Sequence, residues 1–258
     1  MLASFDGSAR FTGRAGYYAQ NRPGYPAEVI NWLKREAGLK PSSIVADVGS
    51  GTGISSQLFL QNGNFVFAIE PNSDMRKVAE AALESHAGFR SIQGKAEATT
   101  LPSSSVDFVV CAQAFHWFDI EASRIEFLRI LKQYGSVVLM WNKRRDDSSS
   151  FMRGYEEILR QYGGDYETRW RKQRGGIEES VRRFFQSTPF RAVSIENLQK
   201  IDLSRLKHGF LSASYAPLPG DPAHESAVIR LESLFERYAN AGTVIFEIDT
   251  QVYVGRLQ

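Results

Sequence analysis

The chain has little cysteine and no long apolar run. Its 258 residues include one cysteine, Cys111, which excludes a disulfide within the chain and a zinc site built on several cysteines. We expect this thiol to be buried and inert. No window approaches the roughly 18 consecutive apolar residues of a membrane-spanning helix, and the opening MLASFDGSAR lacks the layout of a secretory signal. We therefore expect a soluble, cytoplasmic protein with no membrane partner.

The chain also has no marked excess of charge of either sign. It contains 31 Lys and Arg against 29 Asp and Glu, a formal net charge of +2. A strongly basic nucleic-acid-binding surface is therefore disfavoured, and we expect no nucleic-acid partner. The length suffices to bury a large core, and one α/β domain with a smaller cap fits it.

Strand and helix patterns alternate along the first half of the chain. The predicted strands are 43–48, 65–69, 90–93, 106–112 and 136–141, and the predicted helices are 26–37, 54–61, 74–84 and 121–132. We expect Asp74 to be the N-cap of its helix. Alternation at this spacing predicts βαβ units and a mainly parallel sheet.

The alternation stops after residue 142. Charged and aromatic residues over 143–186 predict helices, and further along a strand at 192–198, a loop or short helix at 207–221, a helix at 223–240 and a strand at 244–254 are predicted. The predicted fold class is therefore α/β, a Rossmann-like, doubly wound, seven-stranded and mostly parallel sheet with a helical cap in the second half. We assign 1–145 and 188–258 to the core, and 146–187 with 203–222 to the cap.

A glycine-rich turn, VADVGSGTG at 45–53, follows the first predicted strand. A triphosphate loop requires a lysine after its last glycine, but Ile54 follows Gly53 here. A dinucleotide fingerprint requires Gly or Ala at its sixth position. Counting from Gly49 or from Gly51 places Ile54 or Ser56 there, so NAD or FAD is disfavoured.

The remaining pattern is an acidic residue followed by alternating glycines. The Asp47 carboxylate is a poor neighbour for phosphate and a good one for a cationic ammonium group. Glu70 follows the next predicted strand, and an acidic residue there can accept hydrogen bonds from ribose hydroxyls. These features favour a ligand with an amino-acid end and a ribose; taken alone, Glu70 could equally be a solvated acid at a strand end.

At these motifs the chain resembles the class I S-adenosylmethionine-dependent methyltransferases of the type 11 small-molecule group. The matching stretches are DVGSGTG at 47–53, IEP at 69–71, GKAEATTLP at 94–102 and AQAFHWFD at 112–119. The opening YYAQNRPGYP at 17–26 is similar to that of relatives that include trans-aconitate-methyltransferase-like proteins.

The resemblance implies S-adenosyl-L-methionine as cofactor and a set of residues that bind it. These are Asp47, Gly49, Ser50, Gly51 and Gly53 in the turn, Glu70, Pro71 and Met75 after the second strand, Ala96 and Glu97 at the adenine edge, Gln113, Ala114 and Trp117 after the fourth strand, and Tyr18 and Arg22 in the opening segment. His116 is the candidate catalytic residue, as a general base or a hydrogen-bond donor to the substrate. Structural roles stay open for His116, Arg22 and the aromatic residues Phe115 and Trp117.

The function predicted from the resemblance is in-line methyl transfer to a small-molecule acceptor. A carboxylic acid is one candidate acceptor, because Arg144, Arg145 and the basic residues of 169–174 populate the cap region. The alternatives are a non-catalytic S-adenosylmethionine-binding protein and, with less support, an NAD-dependent oxidoreductase. AQAFHWFD replaces the Asn/Asp-Pro-Pro-Tyr/Phe signature of amino-group methylases, which disfavours DNA-adenine or glutamine methylation. We predict no metal site.

Overall fold

The computed structural model of the protein describes residues 22–213 and 215–258, without the side chains of 167–175. In chain order the elements are α1 (Glu28–Ala37), β1 (Ile44–Val48), α2 (Ile54–Gln61), β2 (Phe65–Ile69), α3 (Ser73–Leu83), β3 (Phe89–Ile92), β4 (Val106–Ala112), a 3-10 turn (Phe115–Trp117), α4 (Ile120–Ile130), β5 (Leu131–Arg144), α5 (Ser150–Tyr162), α6 (Tyr166–Phe185), β6 (Phe190–Ile201), α7 (Leu203–Leu211), α8 (Pro222–Tyr238) and β7 (Val244–Gly255).

The seven described strands form one sheet in the order β3-β2-β1-β4-β5-β7-β6. Strands β1 to β5 pair in parallel, and β7 is antiparallel to both β5 and β6. The strand order reverses between β1 and β4, because β2 continues from one side of β1 and β4 lies on the other. This confirms the predicted Rossmann-like, doubly wound, mostly parallel sheet.

Helices cover both faces of the sheet. One apolar cluster joins α1, α2 and α3 to the sheet and includes the fully buried Leu33 and Phe59. The other joins α4 and the last turn of α6 to the opposite face through Phe127, Phe184 and Phe185. Full burial of each such side chain contributes about 1.5–3 kcal/mol.

A third apolar cluster lies outside the two sheet faces. It packs α5, α7 and α8 around the buried Leu159, Phe210 and Leu231, with Tyr166 at the start of α6. These helices therefore share an apolar core, to which Ile201 of β6 and Val244 of β7 also contribute. Among the described residues, no helix is both long and apolar enough to span a membrane.

Two local predictions differ from the structure. Asp74 is not the N-cap of α3; Asn72 is, and its side chain accepts hydrogen bonds from the Asp74 and Met75 amides. Strand β5 begins at Leu131, where the predicted helix extended to 132, and runs to Arg144. Only the interior of β5 is continuously buried, so its half-exposed ends carried no apolar signal in the sequence.

Candidate donor-binding site

The predicted site residues gather at one edge of the sheet. The turn 49–53, the segment 70–75 and the segment 113–117 follow β1, β2 and β4 respectively, which are parallel and therefore end at the same edge. The crevice between β1 and β4, where the strand order reverses, is where doubly wound sheets bind ligands.

Gly49 and Ala114 fix the width of this crevice. Gly49 has φ 70°, and a Cβ on it would lie 2.5 Å from the Cβ of Ala114 and 3.2 Å from the Phe118 ring. Only glycine fits this conformation and this distance. Gly53 is restricted differently: it has φ 86° at the start of α2, and its Cβ would meet the Leu83 side chain at 2.6 Å. The structure thus gives Gly53 a packing requirement against α3.

The backbone amides of the glycine turn donate within the protein. The N–H groups of Gly49 and Ser50 both donate to the Ile69 carbonyl at 2.8 and 3.1 Å, and that of Gly53 donates to the Ser50 carbonyl at 2.9 Å. Gly51 N–H donates to Glu70 Oε2 at 3.0 Å. Phosphate-binding loops instead offer their amides to the ligand. With these four donors engaged, the turn fits a cationic group better than a phosphate.

Asp47 is fully buried at the end of β1 and holds only one of its oxygens in hydrogen bonds. Oδ2 accepts from the Ser55 and Ser56 hydroxyls at 2.7 and 2.6 Å, whereas Oδ1 is buried without a partner among the described residues. Burial raises the pKa of Asp47 from 3.8 to about 6, although the two serine hydroxyls oppose the shift. A buried carboxylate oxygen without a partner is costly unless a donor reaches it.

Ser50 and Thr52 extend this set of unsatisfied groups. Their hydroxyl oxygens are also buried without a hydrogen-bond partner among the described residues. Thr52 was not predicted as a site residue, since a threonine between two motif glycines carries no signal of its own in the sequence. Together with Asp47 Oδ1, the two hydroxyls suit a ligand that carries both donors and acceptors, as the amino-acid end of S-adenosylmethionine does.

Glu70 connects the glycine turn to the end of β2. Oε2 accepts from Gly51 N–H at 3.0 Å and Oε1 from Asn72 N–H at 2.9 Å. The side chain is buried, and this burial raises its pKa. Each carboxylate oxygen can accept more than one hydrogen bond, so a bound pair of ribose hydroxyls is compatible with these contacts.

The residues expected near the adenine lie around the same edge. Met75 and Ala96 are buried and Pro71 is exposed. Glu97 Oε1 accepts from the backbone N–H of Asp119 at 3.0 Å. This bond joins the turn after β3 to the start of α4 and leaves Glu97 with its second oxygen for other contacts.

The segment after β4 combines a core residue with exposed rings. Phe115 is buried against Phe184, with ring centroids 5.0 Å apart. Phe115 therefore has the structural role that the sequence left open for it. Trp117 is 44% exposed. Gln113 has φ 58°, an unusual conformation for a residue with a side chain, and such strain often marks a functional position.

His116 is exposed and its ring lies 4.8 Å from that of Trp117. The surrounding protein partly desolvates the imidazole and lowers the pKa of His116 to about 4. The ring is therefore neutral near pH 7, where it is a weaker base than an unperturbed histidine and can still donate or accept a hydrogen bond.

Arg22 begins the described part of the chain and is partly buried. Burial raises the pKa of the Tyr155 hydroxyl in α5, and the charge of Arg22 is among those that oppose this shift. Tyr18 lies outside the described residues.

The two arginines at the end of β5 have acidic partners within the protein. Arg144 donates to Tyr166 Oη at 2.6 Å and lies 3.4 Å from Glu156 Oε2, and Arg145 contacts Asp249 at 2.7 Å and Glu196 at 2.9 Å. Both charges are therefore compensated. The side chains of 169–174 lie outside the described part. Among the described residues, no group of His, Cys, Asp or Glu could hold a metal ion.

Comparison with known proteins shows a similarity to methyltransferases over the part of the chain that carries this site. Residues 46–139 match the family model described as a methyltransferase domain. An uncharacterized methyltransferase of Mycobacterium tuberculosis is 36% identical over 154 residues, which are 60% of this chain and 60% of that protein. The alignment thus covers less than two thirds of the mycobacterial relative.

Two further matches extend over most of the chain. An uncharacterized methyltransferase of Schizosaccharomyces pombe is 27% identical over 245 residues, 92% of each chain. A solved structure assigned as a type II methyltransferase, from Anaeromyxobacter dehalogenans, superposes with a TM-score of 0.61 at 16% identity, covering 91% of this chain and 96% of that one; this likeness concerns the fold. The narrower resemblance to trans-aconitate-methyltransferase-like proteins stays a prediction. The ordered motifs lie on the sheet that the resemblance implied, and the chain is similar to S-adenosylmethionine-dependent methyltransferases both in sequence over residues 46–139 and in fold.

Proposed function

We propose that the protein transfers a methyl group from S-adenosylmethionine to a small-molecule acceptor. The observation that carries this proposal is the glycine turn, whose amides at 49, 50, 51 and 53 are engaged internally while Asp47 Oδ1 is buried without a partner among the described residues. A site with spare acceptors suits the ammonium end of this cofactor and disfavours the pyrophosphate of NAD.

The residues present fit the cofactor in three places. Asp47 Oδ1 would accept from its ammonium group, Glu70 from its ribose hydroxyls, and the buried Met75 and Ala96 would border its adenine ring. When bound, S-adenosylmethionine supplies an electrophilic methyl group on a sulfonium centre.

The remaining task of the protein is to position the acceptor. Holding reacting groups in line removes orientational freedom and can supply about 7–11 kcal/mol in the best intramolecular cases. A proton acceptor is needed only where the acceptor atom must lose a proton. We assign His116 and Trp117 to the rim on which the acceptor lies, with His116 as a hydrogen-bond partner and, for a protonated acceptor, its base.

We propose that the acceptor lies between the sheet edge and the cap. The proposed division assigns 1–145 and 188–258 to the core and 146–187 with 203–222 to the cap. The separate apolar cluster of α5, α7 and α8 supports a distinct cap. Because α8 also belongs to this cluster, we propose that the cap includes α8.

A carboxylic acid is the acceptor class that Arg22 would favour. Arg144 and Arg145 are compensated by acidic side chains, so they add little net positive charge for an acidic substrate. We propose that Arg22 contributes to recognition of a carboxylate, if the acceptor carries one, as the resemblance in the opening segment suggests. A panel of carboxylic acids beside their amides tests this class: methylation of the acids alone supports it, and methylation of neutral compounds alone rejects it. We also propose a cytoplasmic location, which cell fractionation tests.

The experiment for the proposed function separates binding from turnover. Isothermal titration with S-adenosylmethionine and S-adenosylhomocysteine should show binding of both, and incubation with the panel should release S-adenosylhomocysteine. Absence of binding would reject the proposal. Binding without turnover across a broad panel would favour a non-catalytic role, and thermal stabilisation by NAD alone would favour an oxidoreductase.

A further inference from the structure

Three polar side chains on neighbouring strands of the sheet form a compact hydrogen-bonded group. We call Asn142 of β5, Asn197 of β6 and Thr250 of β7 the amide clamp. The Thr250 hydroxyl donates to Asn142 Oδ1 at 2.6 Å, and Asn197 Nδ2 donates to the Thr250 hydroxyl at 3.2 Å. Asn197 and Thr250 are buried, so their mutual bonds are shielded from water.

The amide clamp holds the segment that leads into α1. Asn142 Nδ2 donates to the carbonyls of Pro23 and Gly24 at 3.2 and 3.1 Å. Asn197 Nδ2 donates to the Gly24 carbonyl at 2.9 Å. The segment immediately after Arg22 is thus attached to strands that lie more than a hundred positions away in sequence.

The orientation of both amides is fixed by their oxygens. Asn142 Oδ1 accepts from Thr250, so its nitrogen must face Pro23 and Gly24. Asn197 Oδ1 accepts from Gln199 Nε2 at 2.6 Å. Gln199 Oε1 in turn accepts from Arg205 of α7 at 3.0 Å. With these orientations, each amide nitrogen faces an acceptor and each amide oxygen faces a donor. The series of hydrogen bonds extends as far as Arg205 of α7.

Asn142 also contacts the segment after β4, through its backbone carbonyl. The Asn142 carbonyl accepts from Gln113 Nε2 at 3.2 Å, and Gln113 has φ 58°. Gln113 immediately precedes Ala114, which meets Gly49 across the crevice. Asn142 therefore links the opening segment to the strained backbone beside the donor site.

We propose that Asn142 is a positioning residue whose side chain holds the segment at Pro23 and Gly24 beside the donor site. This inference rests on the proposed function, because it takes the crevice to be the donor site. The Asn142 side chain itself touches neither reacting group; it acts through the position of Pro23 and Gly24.

The test replaces Asn142 by aspartate. Asn142→Asp keeps the shape and the acceptor for Thr250 but turns a carboxylate oxygen toward two carbonyls. Asn64→Asp is the matched control: Asn64 is also buried and donates to two backbone carbonyls, of Lys40 and Ser43 at 2.7 and 2.8 Å, at the opposite edge of the sheet. Thr250→Val is a milder variant that removes the hydroxyl orienting Asn142.

Two readouts are taken on the full chain. Hydrogen–deuterium exchange of the ligand-free protein should become faster in peptides covering 24–27 for Asn142→Asp and Thr250→Val and stay unchanged there for Asn64→Asp. Titration with S-adenosylhomocysteine should give a Kd raised roughly tenfold, about 1.4 kcal/mol, for Asn142→Asp, which loses both bonds to the opening segment, less for Thr250→Val, and within about twofold of the parent for Asn64→Asp.

If hydrogen–deuterium exchange over 24–27 is unchanged in Asn142→Asp and Thr250→Val, the amide clamp does not hold this segment. An unchanged Kd in Asn142→Asp, or an equal loss in Asn64→Asp, overturns the positioning role. Failure of the proposed function is distinguishable, because the parent protein would then bind no S-adenosylhomocysteine. If the parent binds no S-adenosylhomocysteine, the positioning role at a donor site is rejected together with the proposed function. Hydrogen–deuterium exchange still decides whether the amide clamp holds the segment that leads into α1.

Discussion

Gly49 and Ala114 meet where β1 and β4 end, and a Cβ on Gly49 would lie 2.5 Å from that of Ala114. Real Cβ atoms do not approach so closely, so the two strand-end segments can be this near only because residue 49 is glycine. The crevice at the reversal of strand order is therefore narrow between these residues.

The first prediction compares two glycines of the turn. Gly49→Ala combines a left-handed backbone with a collision, whereas Gly51 has φ 56° and open space around its Cβ position. We expect Gly49→Ala to cost about 2–5 kcal/mol of unfolding free energy, from strain and overpacking together, and Gly51→Ala to cost about 1–2 kcal/mol from strain alone. Urea denaturation measures both. If both variants lose the same unfolding free energy, the new Cβ at residue 49 is accommodated beside Ala114 without a further energetic cost.

The second prediction concerns Asp47 and pH. Its pKa is about 6 in the folded protein against 3.8 for the ordinary group, so between these values the folded state binds more protons than the unfolded state. The contribution of Asp47 to stability is therefore complete below about pH 3.8, is lost as pH rises to about 6, and is level above that. The loss is on the order of 3 kcal/mol.

Urea denaturation of the ligand-free protein between pH 4.5 and 7 tests this dependence. The unfolding free energy of the parent should decline over this range, and that of Asp47→Asn should decline much less. Glu70, whose pKa is also raised, accounts for the decline that remains in the variant. If the two proteins show parallel pH profiles, Asp47 titrates at its ordinary value.

The third prediction separates the two arginines of β5. Glu156 is buried, and its carboxylate accepts from Arg144, Arg160 and Tyr166. Arg144→Met should cost about 1.5–3 kcal/mol, the range for a lost hydrogen bond to a charged group, because Glu156 then keeps Arg160 as its charge partner, and adding Glu156→Gln should recover part of that loss. Arg145→Met should cost about 1 kcal/mol or less, since Glu196 and Asp249 are more exposed. Thermal or urea unfolding gives the comparison. Equal losses at the two positions would refute the distinction.

The sequence predicted the sheet because its buried strands and glycine turn are local patterns. Strands 65–69 and 106–112 were predicted with the bounds that the structure has. The turn and Glu70 were identifiable because residue spacing alone relates them to a strand end. The N-cap of α3 was missed by two positions, since Asn72 and Asp74 are both common capping residues and only the backbone conformation distinguishes them.

The partners of the site residues could not be predicted. Asn142, Asn197 and Thr250 are 55 and 53 positions apart along the chain, and each is an ordinary polar residue in its own strand. Arg144 and Arg145 were interpreted from the sequence as cations for a substrate, but Glu156 and Asp249, which compensate them, approach only in the folded chain. Pairing over such distances is set by the order of the strands and leaves no local pattern.

The donor site itself is tested most directly by Glu70→Gln. The substitution keeps the shape of the side chain but removes its charge and replaces one acceptor oxygen by a donor, against the Gly51 or the Asn72 amide. Asp107→Asn is the control, since Asp107 also accepts a backbone N–H, that of Ile44 at 2.7 Å, at the opposite edge of the sheet. Isothermal titration with S-adenosylhomocysteine should give a Kd raised about 10- to 100-fold by Glu70→Gln, in keeping with about 1.5–3 kcal/mol for a hydrogen bond to a charged group, and a nearly unchanged Kd in the control. Parent-like affinity in Glu70→Gln would contradict the account.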